Sequence, residues 1–220
     1  VAPSGTAAEK VTHELFVVKK EAKVRLLESM LAQYHGSVLT FVRRKHDAKR
    51  IVHAVRAMNH GAAELHSGRS LAQRREALDG FKSGKYRVLV ATDIAARGID
   101  VKGIELVLNF DLPDNPEDYV HRIGRTGRAG HEGHAVSFAM PDQASEVRSI
   151  ERLIRLALPV SKLPELPPER FIPLPARSFG GYGGRQQRPG NRPGPRRGNF
   201  RQHRGSAILP SRRRRRAVGG

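Results

Sequence analysis

Three arginines, Arg122, Arg125 and Arg128, recur at a spacing of three in YVHRIGRTGRAG (119–130), with Gly124, Gly127 and Gly130 between and behind them. Residues three apart on a helix share a face, so these guanidinium groups repel one another unless an anion lies among them. Glycine lets a backbone come close to a ligand. The pattern asks for a polyanion.

A second stretch, RVLVATDIAARGIDV (87–101), places Thr92 and Asp93 at the end of an apolar run. In an open parallel sheet, ligands gather at the carboxyl ends of the strands. There Thr92 offers a hydroxyl and an amide to a phosphate, Gly98 permits close approach, and Asp100 can accept hydrogen bonds from ribose hydroxyls. A local reading fits the same residues: Asp93 caps the following turn and Arg97 pairs with Asp100.

These groups must be positioned by a scaffold, and the apolar pattern describes one. Strands are expected at 13–18, 37–42, 62–66, 86–92, 104–111 and 133–140. Helices are expected at 20–34, 44–58, 70–82, 116–125 and 143–156, with Ser70 as an N-cap and Pro116 heading its helix. Strands that alternate with helices, and that read as continuous apolar runs, specify a parallel sheet covered on both faces. The α/β pattern dissolves after about Pro159. A proline-rich linker (159–176) follows, then an Arg/Gly-rich tail (177–220) that cannot bury a core and is expected to be disordered.

Charge divides the chain in the same place. Residues 171–220 hold thirteen arginines and neither a lysine nor an acidic residue. Removing those thirteen from the formal net charge of +19 leaves +6 for residues 1–170. A pI near 11.3 points to a nucleic acid or an anionic membrane surface. There is no cysteine, which excludes disulfides and zinc-thiolate sites and is compatible with a reducing cytoplasm. No apolar run is long enough to span a bilayer. Residues 1–12 read as a linker, and the missing initiator methionine raises the expectation of an excised piece.

Three stretches occur in a fixed order: ELHSGRSLAQRREALDGFKSGKYRVLVATDIAARGIDV, NFDLP and YVHRIGRTGRAG. Together they resemble the second RecA-like domain of DEAD-box RNA helicases, with the RhlE-like bacterial group the nearest in wording. The resemblance covers residues 13–158, and His121 argues against the DNA-translocating relatives, which usually carry Gln there. It implies that Arg125 and Arg128 are arginine fingers reaching the γ-phosphate of ATP, and that Asp100 holds the ribose. It implies that Arg97, His121 and Arg122 couple this domain to a first RecA-like domain. Arg74, Thr92 and Gly98 would touch the RNA backbone, with Arg43 or Arg44 also able to meet a phosphate. Those contacts would not read base sequence. The sequence departs from the family at Arg44, where relatives often have a small hydroxyl residue, at His66-Ser67-Gly68, where His-Gly is usual, and at Leu71, where Gln is common.

The phosphate-binding loop G-x-x-x-x-G-K-[ST] and the acidic motif that holds Mg²⁺ are not in the sequence. The expectation is thus the C-terminal half of an ATP-dependent RNA helicase, inactive alone, with ATP and Mg²⁺ held largely by a separate N-terminal domain. The alternative is a non-catalytic RNA-binding module of helicase descent. No metal site and no dimerisation element are expected. In the tail, arginines would hold phosphates while Phe179, Tyr182 and Phe200 stack on unpaired bases. A solubilising segment and, for RRRRR, a nuclear signal are the competing readings.

Overall fold

The computed structural model describes residues 11–97, 101, 103–127 and 133–168. Gly98, Asp100, Arg128 and the Arg/Gly-rich tail lie outside the described residues. Six strands form one sheet: β1 (Val11–Val17), β2 (Val38–Phe41), β3 (Ala62–Leu65), β4 (Val88–Ala91), β5 (Leu106–Asn109) and β6 (Gly133–Ala139). Their order is β1-β6-β5-β2-β4-β3, and every pairing is parallel. Because all strands run the same way, their carboxyl ends share one rim. The helices are α1 (Lys23–Gln33), α2 (Lys45–Ala57), α3 (Leu71–Lys82), α4 (Asp93–Ala96), α5 (Pro116–Ile123) and α6 (Ala144–Ile154).

Alternation along each strand decides which helices cover which face. In β2 and its flank, Val38 and Val42 pack with α1 and α2 around Leu26, Leu27 and Ile51. Leu39 and Phe41 face the other way, toward Ala77 and Phe81 of α3 and Ala95 of α4. Tyr119 and Ile123 of α5 and Ile150 of α6 pack on Leu15 and Ala135 at the β1 side of the sheet. This is the RecA-like arrangement that the α/β pattern and the resemblance lead one to expect.

Local chemistry sets the boundaries. Ser70 caps α3 through a reciprocal capping box with Gln73, satisfying two amides that the first turn leaves orphaned. Asn115 caps α5 by accepting from the Glu117 amide, and Pro116 heads the helix. α5 stops at Ile123, two residues short of the expected end, with Gly124 as its C-cap. Arg122 therefore lies in the helix while Arg125 lies beyond it, so the even spacing of the arginines does not place them on one helical face. Gly127 has φ +67°, which favours glycine. Gly133 packs so tightly on the Gly127 amide that a Cβ would collide with it.

The segment after α6 runs back along the sheet. Val160 bridges Leu15 in parallel. The Leu15 amide donates to Pro159 and the Ser161 amide donates to the Leu15 carbonyl. Further on, the Arg25 guanidinium donates to the carbonyls of Pro167 (2.5 Å) and Leu166 (3.2 Å), and Leu166 packs on the α1–α2 core.

Candidate functional site

Arg122 is the most enclosed charge among the described residues of the rim. Its side chain is 1% exposed. Nε donates to Asp93 Oδ1 at 2.6 Å and Nη2 to Asp93 Oδ2 at 2.7 Å, a two-pronged pair. Nη1 reaches Asn109 Oδ1 at 3.0 Å and the Asp111 carbonyl at 2.6 Å. The guanidinium lies 4.9 Å from the centroid of the Phe41 ring, a cation–π distance. Arg122, singled out for coupling between domains, thus binds inside this one. It joins the start of α4 to α5 and to the ends of β2 and β5. Asp93 does not serve only the turn that it heads, because both its oxygens hold Arg122.

Further charged residues in and just after α4 and α5 come together around a shallow recess beside this clamp. Phe41, Asp93, Arg97, Asp118, His121 and Arg125 all line it. Arg97 Nη2 donates to Asp118 Oδ1 at 3.3 Å, and His121 Nδ1 lies 3.7 Å from the same oxygen. Arg97 and His121 are about two-thirds exposed, against 20% for Asp118. Three cationic or protonatable side chains thus gather where Asp118 and Asp93 are the carboxylates, and Asp93 is committed to Arg122. That donor set fits a polyanion such as a triphosphate. Arg125 stands at the recess; Arg128 and Asp100, its expected companions, lie outside the described residues. Thr126 Oγ1 donates to the Ile104 carbonyl at 2.5 Å, which fixes the loop behind Arg125.

Toward β3 the rim changes character. The sequence offered the Thr92 amide to a phosphate, but that amide is spent on the Leu65 carbonyl at 3.2 Å. Its carbonyl accepts from Ala95 and Ala96. The Thr92 hydroxyl makes no cap for α4 and is the group left for a ligand. Arg74, in the first turns of α3, has a buried Nε without a hydrogen-bond partner among the described residues. A buried donor without an acceptor is costly.

Arg43 and Arg44, though adjacent, differ. Arg43 Nη2 donates to the Leu112 carbonyl at 3.1 Å and Nε lies 3.0 Å from Asp114 Oδ1. Its amide donates to Asp111 Oδ2 at 3.2 Å. Arg43 therefore ties β2 to the loop after β5. The Arg44 side chain is exposed and has no partner among the described residues, which makes it the better phosphate contact of the two.

Sequence reasoning missed two features here. Glu64 is 9% exposed in edge strand β3, where it accepts from both Arg69 and His66. His66 Nδ1 accepts the Gly68 amide at 3.1 Å, so Nε2 carries the proton given to Glu64. Burial, with Lys45 nearby, pushes the His66 pKa below its ordinary value. The split His66-Ser67-Gly68 thus still closes a turn through the histidine. Lys23, buried to 3% exposure, donates to the Phe110 carbonyl at 2.7 Å and to Asp111 Oδ1 at 3.0 Å. Helical spacing identifies its position as inward-facing, but not its partner.

Comparison with known proteins agrees with the geometry. Residues 22–130 match the helicase conserved C-terminal domain. The chain is 38% identical over 177 residues to the ATP-dependent RNA helicase RhlB of Pseudomonas aeruginosa, covering 80% of this chain and 44% of that relative. It therefore spans about half the length of the curated relatives it matches. Among solved structures, the E. coli DEAD-box protein SrmB, bound to regulator of ribonuclease activity A, matches with a TM-score of 0.67 and 30% identity, over 75% of this chain and 98% of that one. S. cerevisiae Dbp5 bound to RNA and ADP BeF3 matches with a TM-score of 0.63 and 29% identity, over 69% of this chain and 41% of that one. The chain belongs to the DEAD-box family of RNA helicases, of which it carries the C-terminal RecA-like domain.

Proposed function

We propose that this domain completes an ATP-driven RNA helicase when it closes on a first RecA-like domain. The carrying observation is the Arg122–Asp93 clamp. It fixes α4 against α5, so that Arg97, His121 and Arg125 meet at one recess on the rim. Arg125 and Arg128 act as fingers on the charge that develops at the transferred phosphoryl group. Asp100 holds the ribose. Arg97 and His121 report the state of the cleft to the partner domain, and Arg122 acts through the positions of α4 and α5. ATP with its Mg²⁺, held by the first domain, supplies the free energy of the cycle.

RNA crosses the same rim on the β2–β4–β3 side, at Arg44, Arg74 and Thr92, with Arg43 bracing the loop beside it, and Gly98 is the further contact that the family resemblance implies. Backbone-directed groups of this kind do not read base sequence. The Dbp5 complex with RNA and ADP BeF3 supports both ligands for a domain of this fold. The chain alone is inactive on this reading, because its sequence lacks the phosphate-binding loop and the metal-holding acid. We place it within the RhlE-like group on the wording of its three motif stretches. The absence of cysteine supports a cytoplasmic setting. No helix among the described residues is long and apolar enough to cross a membrane.

The test is RNA-stimulated ATP hydrolysis by this chain joined to a first RecA-like domain. Activity is expected only in the joined protein. There, Arg125→Ala should lower kcat by about 10³-fold while RNA affinity changes little. Lysine at position 125 should rescue poorly, since it lacks the planar fork. Unchanged turnover in Arg125→Ala sinks the finger assignment.

A further inference from the structure

Behind the Arg122–Asp93 clamp, polar side chains continue into the domain where an apolar core would be expected. Asn109 of β5 and Ser137 of β6 sit opposite each other in the sheet, and Asn109 Nδ2 donates to Ser137 Oγ at 3.1 Å. Ser137 in turn hydrogen-bonds the Tyr119 hydroxyl of α5. That hydroxyl lies 3.0 Å from His13 Nδ1 of β1, and the two rings stack with centroids 6.1 Å apart. His13 is 5% exposed, and Tyr119, Asn109 and Ser137 are fully buried. Tyr119 and Arg122 are three apart on α5, so both turn to the sheet.

Arg122 fixes how the protons run along this relay. A guanidinium only donates, so Asn109 Oδ1 must face Arg122 and Nδ2 must face Ser137. Ser137 accepts there and gives its own proton to Tyr119, and Tyr119 gives its proton to His13 Nδ1. Every member then has a partner. Burial pushes the Tyr119 pKa up to about 12, so the phenol stays protonated and able to donate. Stability alone does not call for such a chain. An apolar interior of the same shape can be about as stable, whereas a satisfied polar network fixes a single arrangement. The arrangement fixed here is that of Arg122. Its outer partner, Asp93, heads a four-residue helix that has no side-chain cap. Its inner anchor, Asn109, is held through Ser137 and Tyr119 as far as β1. That far end is itself held on both sides. β6 pairs with β1 on one side, and on the other the strap after α6 takes the amide and carbonyl of Leu15, two residues on from His13.

We propose that Tyr119 and His13 are positioning residues for ATP turnover: through Ser137 and Asn109 they hold Arg122 at the angle that keeps the Arg125 recess in working shape. The inference rests on the proposed reading that Arg125 acts on the transferred phosphoryl group. Neither Tyr119 nor His13 lines the recess.

The test combines NMR of this chain with turnover of the protein joined to a first RecA-like domain. Tyr119→Phe keeps the ring and removes only the hydroxyl. In the chain, hydrogen exchange of Arg122 Nε–H should quicken by about 3- to 10-fold, the order set by one buried hydrogen bond. In the joined protein kcat should fall by about the same factor, with KM for ATP within about 2-fold, as for an interaction felt only in the transition state. His13→Leu should act alike. His13→Asn, whose amide oxygen stands in for Nδ1, should restore both readings to within about 2-fold of wild type. Ser137→Ala cuts the relay in the middle, so Tyr119→Phe added to it should cost less than about 2-fold more. Ile150→Val, a small loss in the same packing cluster, should leave both readings alone. Unchanged Nε–H exchange in Tyr119→Phe, full additivity with Ser137→Ala, or no rescue by His13→Asn overturns the proposal. If Tyr119→Phe does not fold, His13→Leu against His13→Asn carries the same decision. A loss of turnover in Arg125→Ala without one in Tyr119→Phe overturns the positioning role alone. Unchanged turnover in Arg125→Ala sinks the finger reading, and the proposal falls with it.

Discussion

Arg122 and Arg125 are the same residue type three positions apart, and the fold uses them in opposite ways. Arg122 is enclosed, with every nitrogen donating to Asp93, Asn109 or the Asp111 carbonyl. Arg125, past the end of α5, lines the recess beside Arg97 and His121. On the other side of the rim Arg43 and Arg44 differ more sharply. Arg43 ties β2 to the loop after β5, while the exposed Arg44 has no side-chain partner among the described residues. Residue type and spacing do not tell these two apart. What tells them apart is whether an acceptor set is built inside the domain.

The sharpest way to break this comparison is thermal or urea unfolding of single variants. Arg122→Ala strands a partly buried Asp93 and the Asn109 carbonyl oxygen, and should cost about 3 kcal/mol. That corresponds to a fall in Tm of roughly 6–12 °C for a domain of this size. Arg44→Ala should stay within about 0.5 kcal/mol of wild type. If the two variants unfold together, the division of labour is wrong.

A second experiment sets the folded rim against the tail. The isolated domain offers only one side of an RNA cleft, so the thirteen tail arginines should dominate affinity. If about half meet phosphates at once, log K should fall with log salt at a slope of roughly −4 to −5 on single-stranded RNA. Removal of residues 171–220 should flatten it to about −1 to −2, equally for unrelated sequences. A truncated chain that binds as tightly and with the same slope makes the tail a solubilising segment.

The smallest effect concerns the His66 turn. Burial holds the folded imidazole below its ordinary pKa, so the unfolded chain takes up the proton first. Stability is then complete above about pH 6.5 and declines as pH falls below it. His60, lowered by burial and by Arg87, acts in the same direction. The fall in Tm between about pH 7.5 and 5.5 should shrink by about 2 °C in His66→Asn, with the remainder left to His60 and the carboxylates. An unchanged difference shows that the turn does not depend on a neutral histidine.

The sheet was legible in the sequence because buried parallel strands are continuous apolar runs, and each expected strand overlaps an observed one. Ser70 and Pro116 were legible because capping is local chemistry. The 3-10 turn ahead of α1 was not, since its residues fit a helix equally well. Nor was the fate of Arg122, because Asp93 and Asn109 reach it only when β4 and β5 are brought together. Thr92 shows the converse: its amide was expected to be free because the sequence does not say that β3 ends where Leu65 can claim it. The strap was hidden because proline-rich composition reports the lack of a core, not the docking of a few residues on someone else's.

That strap also guards a border. A sheet of six parallel strands has two outer strands whose unpaired amides and carbonyls can recruit another chain. On the β1 side, the bridge from Val160 to Leu15 fills part of that row. On the β3 side, the Arg56 guanidinium covers the Ala62 carbonyl at 2.7 and 3.0 Å, and Glu64 sets a charge in the strand. If the cationic tail draws many copies onto one RNA, local concentration rises. Blunted borders let those copies crowd without stacking sheet to sheet.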